Sequence, residues 1–301
     1  MNRRSFLAAG TVVGTVLAQA PIPVIDTHIH LFDTNRKEGV PWPPKDDKVR
    51  YKPALPPRYR ALTKEFGIVG AIEVEASPWL EDNQWVLDVA AGDTIIVGTV
   101  GNLEPGKPGF AKNLERFHKN PLFRGIRCGN IWGRDLSADV KQAAIIADLK
   151  LLASAGLSLD SANPNQALLE ALLAVANAVP GLRIVIDHLP GMAIPDPPKG
   201  YNSVVRELAK HPGVYVKISA VLGAKDPKAR IDEIFGTFGE DRVLFGSDWP
   251  NSDGLGPYAQ VFRVVRDYFM AKGRPVAEKY FWRNSVAAYR WVKRDASQPS
   301  A

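Results

Sequence analysis

The chain alternates short, continuously apolar runs with longer stretches whose apolar residues fall three or four positions apart. The runs cover 24–30, 68–75, 95–100, 123–130, 157–161, 182–188, 214–219 and 242–250. Runs this short and rich in Val and Ile read as strands buried on both faces, the signature of a parallel sheet. Helical spacing occupies 57–66, 80–91, 110–118, 137–155, 163–178, 202–210, 226–238 and 258–270, and a last helix is expected over 275–291. In 137–155, Val140, Ala144, Ile145, Leu149 and Leu152 mark one face, and Gly156 stops the helix. Eight strands, each followed by a helix, predict an α/β fold: a single-domain (β/α)8 TIM barrel rather than an open doubly wound sheet.

Three stretches stand outside the alternation. Residues 31–57 carry Pro41, Pro43, Pro44, Pro53, Pro56 and Pro57, which forbids regular helix or central strand. In a barrel such a loop builds the rim of the site. Its Lys45, Lys48, Arg50, Tyr51 and Lys52 suit a cover over an anionic substrate and a solvated surface loop equally well. A second proline-rich loop is expected over 191–200. Residues 1–20 begin Arg3-Arg4-Ser5-Phe6-Leu7, continue as a mildly apolar run and end at Ala18-Gln19-Ala20, a small-x-small cleavage pattern. This stretch is similar to a twin-arginine signal peptide and implies export to the periplasm, although Pro21 is an awkward neighbour for a peptidase. The run is too short to cross a hydrocarbon core of about 30 Å, which takes roughly 20 apolar residues, so no stable membrane span is expected. The barrel is then assigned to 21–293, with 294–301 a flexible polar tail.

Composition narrows the function classes. With 301 residues, 46% hydrophobic and 23% charged, the chain can bury a large core. The formal charge of +6 falls to +4 once Arg3 and Arg4 are removed with the leader. The basic residues are scattered, so nucleic-acid binding has no support. A single cysteine, Cys128, excludes an intramolecular disulfide and reads as a small buried apolar residue. No Gly-rich phosphate-binding loop follows any strand. A homodimer formed through the terminal helices stays open, with no motif that specifies it.

Candidate chemistry collects at the expected strand ends. His28 and His30 alternate at the end of strand one, His188 ends strand six and Asp248 ends strand eight. In a (β/α)8 barrel these ends meet at one rim. Three imidazoles and a carboxylate suit one divalent metal, zinc first. Glu73 and Glu75 share a face near the end of strand two, so either can reach the barrel mouth. Arg124 and Arg127 are three apart on strand four and cannot share a face of a regular strand; Arg127 lies closer to the functional end. Arg127 and Lys217 are candidate anchors for a carboxylate or hydroxyl, Arg by bidentate contact; Lys217 is equally well read as an ion-pair partner of Glu73 or Glu75. Glu75, Arg124 and Trp249 complete the candidate substrate contacts, and Trp249 and Trp79 are weighed as pocket walls against core packing.

Asp26-Thr27-His28-Ile29-His30, Ile186-Asp187-His188 and Phe245-Gly246-Ser247-Asp248-Trp249-Pro250 resemble the amidohydrolase superfamily, over about 24–291. With Arg124-Gly125-Ile126-Arg127, they look like its amidohydrolase-2 branch, which includes lactonases of sugar lactones and pyrone dicarboxylate and metal-dependent decarboxylases. The resemblance implies a hydrolase that opens the lactone ring of a sugar acid or dicarboxylic acid, an anionic or polyhydroxylated small molecule. Asp248 is the expected general base, with His188 or a metal on His28 and His30 polarising the carbonyl. Superfamily members with two metals carry a bridging lysine or carboxylate on strand four and a histidine on strand five. Here those strands offer arginines and Asp160-Ser161, so two metals are not expected, and metal-free action stays open. The alternatives are a decarboxylase of an aromatic or unsaturated acid and an exported, non-catalytic binding protein.

Overall fold

A computed structural model of the protein describes residues 20–188 and 200–300. The expected leader, apart from Ala20, and the loop over 191–200, apart from Gly200, fall outside those residues. In chain order the elements are β1 (Val24–Ile29), α1 (Pro56–Thr63), β2 (Ile68–Val74), α2 (Asp82–Ala91), β3 (Ile96–Gly101), α3 (Phe110–His118), β4 (Phe123–Gly129), α4 (Leu136–Asp139) and α5 (Ala143–Ser154). They continue as β5 (Ser158–Ala162), α6 (Gln166–Ala178), β6 (Arg183–Ile186), α7 (Tyr201–Leu208), β7 (Val214–Ile218), α8 (Pro227–Phe238), β8 (Val243–Phe245), α9 (Tyr258–Ala271), α10 (Arg274–Glu278) and α11 (Asn284–Tyr289). The strands pair in parallel from β1 round to β8. Beyond the regular ladder, Ile29 bridges Trp249, and Asp248 N donates to His28 O and His30 N to Trp249 O, both at 2.8 Å. The (β/α)8 barrel read from the sequence is therefore the fold.

The barrel interior below the rim is apolar: Ile25, Ile72, Val97, Val185 and Leu244 pack into one cluster. The outer faces of the strands meet the helices in a second, larger core. Leu149 and Leu152 of α5 are fully buried there, and each such leucine contributes about 1.5–3 kcal/mol relative to exposure. β1 departs from simple alternation. Its register against β2 shifts between Asp26 and Ile29, and this irregularity lets both Ile25 and His28, three apart, face the interior.

Three expectations need correction. The helix expected over 137–155 is two pieces, because Asp135 caps a single turn through the N–H groups of Ser137 and Ala138, and Gln142 then turns extended with its amide on Asp139. The last helix is also broken: a π-turn over Lys279–Arg283 separates α10 from α11. Tyr280, Phe281 and Trp282 are consecutive and all buried, the first two in the larger core and Trp282 in the inner cluster, so this turn is covered on more than one side. The tail is not frayed. Arg294 Nη1 donates to the carbonyls of Ala90, Asp93 and Ile96, and the Gln298 amide, 1% exposed, donates to Val69 O and Thr94 O at 3.0 and 2.8 Å. Polar residues there satisfy carbonyls at the strand-entrance end of the barrel instead of facing water.

Candidate active site

Two strand ends are turned inward by unusual backbone. His188 and Asp248 have φ of 61° and 62°, a left-handed conformation that costs a non-glycine residue on the order of 1–3 kcal/mol and persists only where the surroundings fix it. Both side chains are thereby aimed at the imidazoles of β1. The His28 ring centroid lies 5.0 Å from that of His30 and 4.6 Å from that of His188. The β1–β8 seam that carries them is braced from behind. The Asp26 carboxylate accepts from Tyr59 Oη at 2.7 Å, Tyr258 Oη at 3.2 Å and Ser247 N at 2.8 Å. Burial pushes Asp26 up, against those donors.

The heart of the site is one carboxylate oxygen faced by two imidazole nitrogens. His30 Nδ1 lies 2.7 Å from Val74 O; a carbonyl only accepts, so Nδ1 carries the proton and Nε2 of the neutral ring is a lone pair. That Nε2 lies 3.3 Å from Asp248 Oδ1, and His28 Nε2 lies 3.6 Å from the same oxygen. Among the described residues neither His28 Nε2 nor Asp248 Oδ1 has a hydrogen-bond partner, although both are buried. Two acceptors held face to face repel unless a proton or a cation lies between them. The nitrogen and oxygen donors of His28, His30 and Asp248 therefore fit a divalent first-row metal, and His28, Asp187 and His188 form a second triad around the same ring. Asp248 is held below the usual carboxylate range: burial opposes this, but His188, His30 and His28 outweigh it. Burial holds His188 below the usual imidazole range, and burial with the Lys217 charge does so for His28.

Beneath the imidazoles lies a dry charge cluster. Lys217 Nζ is 2.7 Å from Asp160 Oδ2, 3.0 Å from Asp187 Oδ1 and 3.5 Å from His28 Nδ1, with the lysine and both aspartates fully buried. Tyr289 Oη donates to Asp160 at 2.5 Å. Burial raises Asp160 despite Lys217, whereas for Asp187 the charge of Lys217 and the contact with His28 overcome burial and hold it low.

Above the imidazoles a cleft of about 240 Å³ opens, lined by His30, Trp42, Glu75, Arg127, Trp132 and Asn251 among others. Arg127 is buried in its wall and tied to Glu75: Nε reaches Oε1 at 3.3 Å and Nη2 reaches the Glu75 carbonyl at 2.7 Å, while Nη1 is 3.7 Å from Asp187. Glu75 also accepts Trp132 Nε1 at 3.0 Å and pairs with Arg134 at 3.5 Å.

Of the residues predicted from sequence, His28, His30, His188, Asp248, Arg127 and Glu75 come together. Lys217 lies below them, ion-paired to Asp160 and Asp187 rather than to Glu73 or Glu75, and is too deep to meet a substrate. Arg124 is at the other end of β4, its Nη1 donating to Arg290 O at 3.2 Å, so it does not reach the cleft. Trp249 is fully buried behind the seam, packed on Tyr59 and Arg58, and Trp79 faces solvent away from the cleft. Glu73 is buried outside the barrel interior, beside α2. Cys128 is buried as expected, its thiol pushed up to about 12 by burial. The sequence reading passed over Asp187, Asp160, Trp132, Asn163 and Asn251. Strand alternation put Asp160 inside with Arg127, its register partner, and was the one usable signal among them.

The amidohydrolase family model matches residues 25–291. The chain belongs to the amidohydrolase family. It is 28% identical over 245 residues to an L-fucono-1,5-lactonase of Burkholderia ambifaria, covering 78% of this chain and 82% of that one. Among solved structures it is similar to an amidohydrolase from Burkholderia multivorans with bound zinc, with a TM-score of 0.79, 21% identity, and coverage of 89% and 99% of the two chains. A putative 2-pyrone-4,6-dicarboxylic acid hydrolase from Pseudomonas putida gives 0.70 and 18%, covering 89% and 98%. The protein is thus a hydrolase with a lactonase among its relatives. No helix among the described residues is long and apolar enough to cross a membrane.

Proposed function

We propose that this amidohydrolase opens the ring ester of a neutral, polyhydroxylated lactone. The observation that carries the reading is Asp248 Oδ1: a buried carboxylate oxygen with no hydrogen-bond partner among the described residues, beside two imidazoles, one of which, His30, lines the cleft. Held ionised, Asp248 accepts a proton from a water placed over the lactone carbonyl and returns it to the ring oxygen as the C–O bond breaks. His188 sits 3.2 Å from Ser219 through Nδ1; with Ser219 donating there, the Nε2–H of His188 points to the developing oxyanion. A divalent cation on His28, His30 and Asp248, zinc by preference, would add positive charge beside the carbonyl and the attacking water.

The neutral character of the substrate follows from charge pairing. Among the described residues at the cleft, Arg127 and Arg134 both pair with Glu75, and Lys217 is enclosed by Asp160 and Asp187. None is left over for a substrate carboxylate, while Asn163 and Glu75 offer hydroxyl partners and Trp42 and Trp132 offer flat apolar walls. The curated lactonase relative, named for a sugar lactone, supports the same class.

The test is acid release from a panel of aldono-1,5-lactones and pyrone dicarboxylate, with the wild type and Asp248→Asn. Turnover of a neutral lactone that disappears in Asp248→Asn is expected. Preference for the dicarboxylate overturns the neutral class, and carbon dioxide released from an aromatic acid in place of lactone hydrolysis overturns the reaction. The export part of the reading rests on the Arg3-Arg4 leader and is tested by fractionating cells that express the full chain, with periplasmic protein expected and cytoplasmic retention counting against it.

A further inference from the structure

We propose that Arg50 and Asn251 are positioning residues that orient the Asp248 carboxylate, so that the loop after β1 sets the alignment of the proposed base. The inference rests on Asp248 being the proton acceptor of the proposed reaction. Asn251 Nδ2 donates to Asp248 Oδ2 at 2.9 Å, and Arg50 Nη1 donates to Asn251 Oδ1 at 2.8 Å. A guanidinium has donors only, so the amide atom facing it must be the oxygen. The Asn251 NH2 is thereby forced toward Asp248. One carboxylate oxygen is occupied and the other, Oδ1, is the oxygen that faces His28 and His30.

Arg50 is itself fixed. Asp47 accepts the backbone N–H groups of Val49 and Arg50 on Oδ1, at 3.1 and 2.9 Å, and Arg50 Nε on Oδ2 at 2.5 Å. The result is a closed turn that holds the guanidinium in one direction. The guanidinium carbon lies 5.9 Å from the Trp42 ring, whose edge meets His30 with centroids 5.6 Å apart. One loop thus reaches the base through Asn251 and an imidazole through Trp42. The sequence left Arg50 between covering an anionic substrate and lying on a solvated surface. The geometry gives it a third role, in which Nε is committed to Asp47 and Nη1 to Asn251.

Supporting groups one bond removed from a reacting or ligating carboxylate typically change activity or ligand affinity by about 10–100-fold. With a neutral aldono-1,5-lactone as substrate, Asn251→Ala and Arg50→Ala are each expected to lower kcat within that range, with KM moving by less than about threefold. The double variant is expected to lose no more than the worse single one, because both act through a single contact. Arg50→Lys, which retains a donor for Asn251, recovers part of kcat. Losses that multiply in the double variant, or a rise in KM for Arg50→Ala at unchanged kcat, overturn the relay. Crystal structures of the two alanine variants give a readout independent of turnover: a rotated Asp248 carboxylate is expected, and one unmoved in both overturns the proposal. A wild type that opens no lactone sinks the proposed function, and the carboxylate orientation in those structures still decides this inference.

Discussion

Lys217 Nζ lies 2.7 Å from Asp160 Oδ2 with both side chains fully buried, and the same ammonium reaches Asp187 at 3.0 Å. One ammonium thus sits between two buried carboxylates beneath the site, with Arg127 3.7 Å from the second. Removing one partner of a buried pair leaves an uncompensated charge and costs about 3–5 kcal/mol. Lys217→Met is therefore expected to lower the midpoint of urea unfolding by that equivalent. The double variant Lys217→Met with Asp160→Asn is expected to recover part of it. An unchanged midpoint in the single variant would mean that the cluster is not held as an ion pair.

The cluster of His28, His30 and Asp248 makes a prediction about metal. A cation that binds the folded state alone stabilises it by about 2.7 kcal/mol at a hundredfold excess over its dissociation constant. Zinc is therefore expected to raise the melting temperature of the chelated protein, and His30→Ala is expected to remove that rise. A melting temperature indifferent to zinc in the wild type would indicate that the histidines work without a metal.

Glu73 yields a prediction about pH. Burial, and then the neighbouring charge of Glu75, push its carboxyl well above the usual range, and its Oε1 has no hydrogen-bond partner among the described residues. The folded state therefore binds the Glu73 proton more tightly than the unfolded state does. The associated stability is complete below the unfolded value of about 4.3 and is lost as pH rises through the folded value. Glu73→Gln is expected to flatten that loss: measured by urea unfolding, the variant gains on the wild type with each step from pH 4 to pH 8. Parallel stability–pH curves for the two proteins would show that Glu73 ionises normally.

These residues also mark where sequence reasoning stopped. Strand order and the convergence of His28, His30, His188 and Asp248 were legible, because apolar runs fix strands and a parallel barrel brings their ends together. The inward side of β1 was not, since the register shift at Asp26–Ile29 alters which residues share a face. Nor were the partners of Lys217, Arg127 and Arg124. An ion pair joins strands distant in sequence, as Lys217 with Asp160 does, and charge by itself does not say which carboxylate a cation meets. Asn251 lay in a short helical turn after β8 with no signal beyond its closeness to Asp248.

The Glu75–Arg127 pair offers the sharpest test of why the substrate is read as neutral. Glu75 accepts from Arg127 and Trp132 in the cleft wall and pairs with Arg134 behind it. In Glu75→Gln the side chain keeps its length and one acceptor oxygen but loses the charge that neutralises the two arginines. Arg127 would then keep its hydrogen bond to the Glu75 carbonyl but only Asp187, 3.7 Å away, as a charged partner, leaving positive charge for a substrate carboxylate. A charge-assisted hydrogen bond of this kind contributes about 1.5–3 kcal/mol, and each 1.4 kcal/mol is tenfold. The ratio of kcat/KM for an acidic lactone to that for its neutral counterpart is therefore expected to rise about tenfold or more in Glu75→Gln. If the ratio stays flat while the variant keeps its fold and its turnover of the neutral lactone, Glu75 does not control charge selectivity, and the neutral-substrate reading loses its main physical support.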